Sequence, residues 1–259
     1  MKYSMIDDAK KKIIERYLKN VHGKKPDTSS YDPRHDGKEG HWLEKQMGIE
    51  PNASNTPDLF EYEMKNHTNN VLTLGSWDPN YWVFRNKKYD ISRDGFLDIF
   101  GHPNPEKNNR PSWSGKPVPK IDETNSFGVQ IKIDSDNNIL FVYSYSDDTR
   151  DNKSTVVPKE LQVENLTICK WNSSGKKSLR EKVENKFNQK GWFKCLQNKD
   201  GVYSEIVFGN PFTFETFINY FKNGDIYFDC GMYRGNERNY CQWRTKNSFW
   251  DLLITSRHQ

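Results

Sequence analysis

Ten consecutive residues, Thr56-Pro57-Asp58-Leu59-Phe60-Glu61-Tyr62-Glu63-Met64-Lys65, gather acidic groups and an ammonium around a short apolar run. If Phe60 to Met64 runs as a strand, alternate side chains share a face, so Glu63 and Lys65 point the same way. Asp58 stands five positions before Glu63, after a proline, where a bend or bulge can swing it beside that face. Two carboxylates and an amine so placed form a minimal site for a divalent cation and an attacking water. The competing reading is a solvated strand edge carrying a Glu–Lys pair, and the triplet alone favours it. Other acid-x-Lys triplets occur at Glu184-Asn185-Lys186, Asp8-Ala9-Lys10, Asp36-Gly37-Lys38 and Asp151-Asn152-Lys153. None of them follows a Pro-Asp through an apolar, strand-like run.

The elements that must position this stretch can be read around it. Asp7 to Asn20 has Ile13, Ile14, Tyr17 and Leu18 near helical spacing, with Asp7 or Asp8 at the N-cap. A second helix is expected from His41, with Trp42, Leu43 and Met47 as its apolar face and Gly48 near its end. Glu44 lies in that helix. Val71 to Leu74 reads as a buried strand, and Asp78 to Pro119 as a long irregular insertion rich in Pro, Gly and Trp. Phe127 to Asp134 alternates and is followed by Asp136-Asn137-Asn138 and Ile139 to Tyr145, a β-hairpin pattern. Leu179 to Asn188 reads as a short charged helix, and Trp192 to Leu196 with Tyr203 to Phe208 as a second hairpin. Phe214, Phe217, Ile218 and Phe221 mark a helix from Thr213 to Asn223, ended by Gly224. A strand from Asp225 to Met232, a basic loop, a strand from Cys241 to Arg244 and a closing helix from Phe249 to Ile254 complete the chain. Helices and hairpins in this mixed order point to an α+β fold.

The 259 residues can bury one substantial core or form two lobes. Mean hydropathy is −0.99, yet 14% of residues are aromatic, which excludes a disordered chain and indicates a folded protein with a very polar surface. The net charge of +4 permits a polyanionic partner without demanding one. Cys169, Cys195, Cys230 and Cys241 form no C-x-x-C pair and have no histidine at zinc spacing, so they read as reduced thiols. No apolar run approaches the roughly 20 residues that span a bilayer, and Met1 to Lys12 lacks a signal-peptide core. A cytoplasmic protein without a membrane partner is expected.

Glu44, Pro57-Asp58, Glu63-Met64-Lys65 and Val71-Leu72-Thr73-Leu74 together resemble the MutH/MvaI/BcnI branch of the PD-(D/E)xK nucleases. In that branch a helix carries a glutamate fourteen positions before the aspartate, followed by Asp-x4-Glu-x-Lys, and the spacing here is the same. The resemblance extends to the hairpin around Phe127 to Asp134 and to Asn223 to Arg234, where a Gly-Asp turn leads a strand into a recognition loop. The loop after Lys65 is shorter than in the MvaI member of that branch. The further Lys or His that completes the site in some members has no clear counterpart, and His67 is the candidate for it, against the reading of an ordinary surface histidine.

The resemblance implies a restriction-endonuclease-like α+β core with a mixed sheet and two lobes forming a DNA cleft. Residues 1–165 would be the catalytic lobe and residues 166–259 the recognition lobe. It implies a type II site-specific deoxyribonuclease that hydrolyses double-stranded DNA with Mg2+, with Mn2+ as a substitute ion. Asp58, Glu63 and the Met64 carbonyl would hold the metal, Lys65 would act on the water, and Glu44 would hold a second metal or water. Arg234, Arg238, Gln242 and Arg244 are candidates for reading bases, since guanidinium forks match guanine and Gln matches adenine. Arg85, Lys87 and Lys88 are candidates for phosphate contacts, which position a duplex but read no sequence. The family also implies a monomer and a cognate DNA methyltransferase in the host. Two alternatives stand beside this: a mismatch-repair nicking enzyme of the MutH kind, and a nucleic-acid-binding module without catalysis.

Overall fold

In the computed structural model, residues 7–32, 37–50, 54–66 and 71–259 are described. The Cα packing divides the chain into two compact units, and neither is a continuous stretch. One comprises Met1–Asn70, Val183–Thr213 and Asn247–Gln259; the other comprises Val71–Lys182 and Phe214–Lys246. A single cut near residue 165 therefore does not describe the packing, because the chain leaves the first unit after the motif strand and returns to it later. No described helix is long and apolar enough to cross a membrane.

The first unit is built on a four-stranded sheet. Its strands, in spatial order, are Tyr62–Lys65, Gly191–Gln197, Tyr203–Gly209 and Ile254–His258. Tyr62–Lys65 pairs in parallel with Gly191–Gln197, in the register Glu63 to Trp192 and Lys65 to Lys194, while the remaining pairs are antiparallel. Two helices cover one face. Helix Asp8–Asn20 is capped by the Asp7 carboxylate, which accepts from Ala9 N at 3.1 Å. Helix Lys38–Met47 ends at Gly48, whose φ of 69° fits the left-handed cap that glycine favours. Ile13, Tyr17, Trp42, Leu43 and Met47 from the helices pack with Met64, Phe193, Cys195, Ile206 and Phe208 from the sheet. Side chains alternate along a strand. With Met64 and Phe193 in that core, Glu63, Lys65, Trp192 and Lys194 are assigned to the opposite face.

That second face is walled by aromatics. Trp192 lies 4.8 Å from Trp250 between ring centroids, and Phe187 and Phe212 pack against Trp250 at 5.7 and 5.8 Å. Gly209, the register partner of Trp192, is required here, because a Cβ on it would stand 2.1 Å from Trp192 Cε2.

The second unit contains three sheets: Ile226–Cys230, Cys241–Lys246 and Val71–Ser76; Met232–Tyr233, Arg110–Trp113 and His102–Asn104; and Tyr81–Trp82, Leu166–Trp171, Ile139–Asp148 and Phe127–Ile133. The expected hairpin of residues 127–145 forms in antiparallel register. Helix Phe214–Lys222 buries Phe214, Phe217, Ile218 and Phe221, the four residues whose spacing marked it.

Four expectations need correction. The stretch Asp78 to Pro119 is not irregular: it holds helix Arg93–Phe100 and the strands His102–Asn104 and Arg110–Trp113. Those elements have eight residues or fewer, too short to show a period against their Pro and Gly content. The strand expected through Met232 stops at Cys230, and Met232–Tyr233 joins a different sheet. The closing helix is a 3-10 segment, Asn247–Leu253, followed by an edge strand, Ile254–His258. The motif strand begins at Tyr62, two residues later than expected.

Candidate active site

The late start of the motif strand is what brings Asp58 to it. Phe60 and Glu61 both have positive φ, 49° and 69°, and Leu59 and Tyr62 exchange backbone hydrogen bonds across them at 3.0 and 2.9 Å. Two consecutive left-handed residues closing a two-residue turn are the hairpin geometry that Asn-Gly usually supplies. With Phe and Glu there, the turn is strained by about 1–2 kcal/mol per residue. The turn folds the chain back so that Asp58 Oδ2 accepts from Met64 N at 2.9 Å. The bend foreseen from sequence is thus a tight turn.

Glu63 and Lys65 are buried, at 3% and 4% exposure. Lys65 Nζ donates to Glu63 Oε1 at 2.8 Å and lies over the Phe187 ring at 4.6 Å and the Trp250 ring at 5.5 Å. Burial is the leading cause that holds the Lys65 pKa below the usual lysine value; Lys186 adds to it, while Glu63 and Asp58 oppose it. Burial first, and then the Glu63 carboxylate, push Asp58 up to about 6, against opposing contributions from the Met64 N–H, Lys65 and Lys186. The two carboxylates therefore feel each other electrostatically.

The structure gathers side chains here that the sequence analysis did not select. Lys186 Nζ, from helix Leu179–Phe187, lies 3.2 Å from the same Glu63 Oε1 that Lys65 binds. Its triplet, Glu184-Asn185-Lys186, lacks the Pro-Asp and the apolar run that precede Glu63 and Lys65. Lys194, the register partner of Lys65, is fully buried and pairs with Asp251 at 3.2 Å. A lysine inside Trp192-Phe193-Lys194-Cys195-Leu196 was the available signal, because lysine is rarely buried without a partner.

Glu44, on helix Lys38–Met47, meets the end of the motif strand indirectly: its Oε1 accepts from Asn66 Nδ2 at 3.1 Å. His67 lies outside the described residues.

The donor set can be tested against a divalent cation. Glu63 Oε2 is buried and has no hydrogen-bond partner among the described residues, which a bound cation would remedy. Among the described residues no group of three or more His, Cys, Asp or Glu side chains is arranged to hold a metal. An ion here would rest on two carboxylates, backbone oxygen, water and substrate phosphate. Those are the hard, sparse protein ligands that suit Mg2+ rather than zinc, so the residues fit the ion.

The candidate base-reading residues lie in the second unit. Arg234 and Arg238 are exposed on the loop after Met232–Tyr233, with Gly235 at φ 86° between them. Arg234 pairs with Asp94 at 3.8 Å and, more closely, with Asp98. Arg238 stacks over Tyr240 at 4.8 Å. Gln242 and Arg244 stand on strand Cys241–Lys246, where Arg244 donates to Gln242 at 2.7 Å and pairs with Asp229 at 2.5 Å. Arg85, Lys87 and Lys88 are exposed; Arg85 is paired with Asp78 at 3.0 Å, and Lys88 lies 5.1 Å from the Tyr89 ring.

Comparison with known proteins agrees with the fold. Residues 21–258 match the family model of the LlaMI restriction endonuclease. The chain is 43% identical to the type II restriction enzyme ScrFI of Lactococcus lactis subsp. cremoris, over 96% of this chain and 98% of that one. Its structure resembles that of restriction endonuclease MvaI in complex with its cognate DNA substrate, with a TM-score of 0.62 and 14% identity over 98% of this chain and 99% of that one. At that identity the likeness establishes the restriction-endonuclease fold. The chain belongs to the LlaMI restriction endonuclease family.

Proposed function

We propose that this restriction endonuclease hydrolyses double-stranded DNA at a specific sequence with Mg2+, using Asp58, Glu63 and Lys65 as its catalytic residues. The observation that carries this reading is the buried Lys65–Glu63 pair at 2.8 Å, with Asp58 turned back onto the same strand through Met64 N. Asp58, Glu63 and the Met64 carbonyl would hold the ion, which when bound supplies charge neutralisation at the phosphate and acidifies water. Mn2+, which accepts the same oxygen ligands, would substitute.

The residues then divide the work. Glu63 fixes the Lys65 amino group by a direct hydrogen bond, so it is oriented before substrate arrives. Burial lowers the Lys65 pKa, which makes it easier for this amine to serve as the acceptor of a proton from the attacking water. As the water oxygen bonds to phosphorus, the bond from phosphorus to the deoxyribose oxygen breaks, and that oxygen leaves with the electron pair. Lys186 offers a second positive charge at Glu63 and can offset charge that builds on the phosphate oxygens. Glu44 acts through Asn66 at the end of the strand, as a positioning group.

Arg234, Arg238, Gln242 and Arg244 would read base edges, with Arg85, Lys87 and Lys88 on phosphates. The catalytic and recognition roles then belong to the two compact units rather than to consecutive halves of the chain. The enzyme would act as a cytoplasmic monomer, and a methyltransferase of matching specificity would protect the host.

Digestion of an unmethylated phage genome with Mg2+, followed by sequencing of the fragment ends, tests this. One short consensus at all ends, lost with EDTA, is the expected result. Random ends or metal-independent cutting would refute it, and single-strand nicks alone would favour the MutH-like alternative.

A further inference from the structure

Arg93, the first residue of helix Arg93–Phe100, spends its whole guanidinium on the loop that carries Arg234 and Arg238. Its Nε donates to Asn239 Oδ1 at 2.9 Å, its Nη1 to the Tyr233 carbonyl at 3.3 Å, and its Nη2 to the Arg238 carbonyl at 3.2 Å. One planar, charged fork thereby fixes both ends of the Tyr233–Asn239 loop. A lysine could not do this, because its single ammonium has no pre-set fork geometry. Its neighbour Asp94 also lies in reach, at 3.8 Å from Nη1.

The contacts continue beyond the loop. Asn239 is buried to 7% exposure and donates Nδ2 to both Asp78 oxygens, at 3.2 and 3.1 Å. Its carbonyl accepts from Cys230 Sγ at 3.2 Å, at the end of strand Ile226–Cys230. Asp78 in turn accepts from Arg85 Nη2 at 3.0 Å. Inside the loop, Asn236 Oδ1 accepts from Arg238 N at 2.7 Å and its Nδ2 donates to the Tyr233 hydroxyl at 2.8 Å. An exposed loop containing a glycine would otherwise have many conformations, and ordering it on binding would cost affinity. Here the ordering is already done in the free protein.

We infer that Arg93 is a specificity-positioning residue, which holds the Tyr233–Asn239 loop in one conformation and links it through Asn239 and Asp78 to Arg85. This rests on the reading of the loop as the DNA-recognition element. Arg93 touches no base in this account. It sets the angle at which Arg234 and Arg238 meet base edges, and an arginine fork discriminates only when both of its bonds can form together.

The test compares wild type with Arg93→Lys, and with Asn239→Asp as a second variant that keeps the size of the hub but removes a donor. The probes are short duplexes carrying the site mapped from wild-type fragment ends, and the same duplexes with one base pair changed. The expected result is a roughly tenfold or larger fall in the ratio of kcat/KM for the mapped site over the changed site. KM should carry most of the loss, with kcat on the mapped site moving less than threefold. A ratio equal to wild type in both variants would overturn the inference while leaving the DNA reading intact, as would an equal loss in kcat on all duplexes. Wild-type protein that cuts mapped and changed duplexes alike would overturn the DNA reading itself.

Discussion

The two candidate sites, one in each compact unit, handle charge in opposite ways. In the first, Glu63, Lys65 and Lys194 lie buried on one face of the sheet, and exclusion of water lowers the Lys65 pKa. In the second, Arg234 and Arg238 stand in solvent, and partners on the same unit set their geometry. Desolvation suits chemistry, because it shifts proton affinities and strengthens electrostatic stabilisation. Exposure suits recognition, because a guanidinium must exchange one set of acceptors for another at little cost. Surface ion pairs contribute about 0–1 kcal/mol, so Asp94 and Asp98 can hold Arg234 in place and still release it.

The contrast predicts unequal responses to mutation. Removing Lys65 or Glu63, as Lys65→Ala or Glu63→Gln, should lower kcat on the mapped site by roughly 10³-fold or more while duplex binding persists. Equal loss of binding and cleavage would erase the distinction between the units. Lys186→Ala should cost less, about 10–100-fold in kcat, since Lys65 still holds Glu63. An unchanged rate would make Lys186 a surface lysine that merely salts the site.

Exposed residues should respond through salt and sequence rather than rate. Arg85→Ala, Lys87→Ala and Lys88→Ala should each reduce the slope of log affinity against log salt by about 1, equally for all sequences. A base-pair-selective effect at any of them would move that residue into the reading group.

Stability gives a smaller and more diagnostic signal. Asp58 is raised from 3.8 to about 6 in the folded protein. Between those values the native state binds more protons than the unfolded state, so this carboxyl makes stability fall as pH rises through the window. Asp58→Asn should therefore stabilise the metal-free protein by about 1–3 kcal/mol at pH 8. The gain should vanish below about pH 4, where both forms are neutral. Thermal unfolding across pH measures it, and Mg2+ should raise the melting temperature of wild type more than that of the variant. The smallest effect is expected at the strained turn: Phe60→Asn with Glu61→Gly should stabilise by about 1 kcal/mol and leave cleavage within a few-fold.

Much of the site was legible in sequence because its spacing is local. Asp58, Glu63 and Lys65 sit within eight residues, and the period of a strand fixes which of them share a face. Helices with clear apolar stripes, such as Phe214–Lys222, were equally legible. What sequence could not show was produced by pairing across long separations. Lys194 joins the site because its strand pairs in parallel with one that lies far upstream, and Lys186 because its helix leads into that strand. The two left-handed residues at Phe60 and Glu61 carried no turn signal, since their types oppose that conformation. Arg93 was invisible for the same reason as Lys186: its partners at Tyr233, Arg238 and Asn239 come from the other end of the unit.

The central claim is that Asp58 belongs to the chemistry and not to DNA binding. Wild type and Asp58→Ala should be compared on one duplex carrying the mapped site, with binding measured in Ca2+ and cleavage in Mg2+. Affinity within a few-fold of wild type and cleavage reduced by roughly 10³-fold or more are expected. Cleavage by Asp58→Ala at the wild-type rate would contradict it.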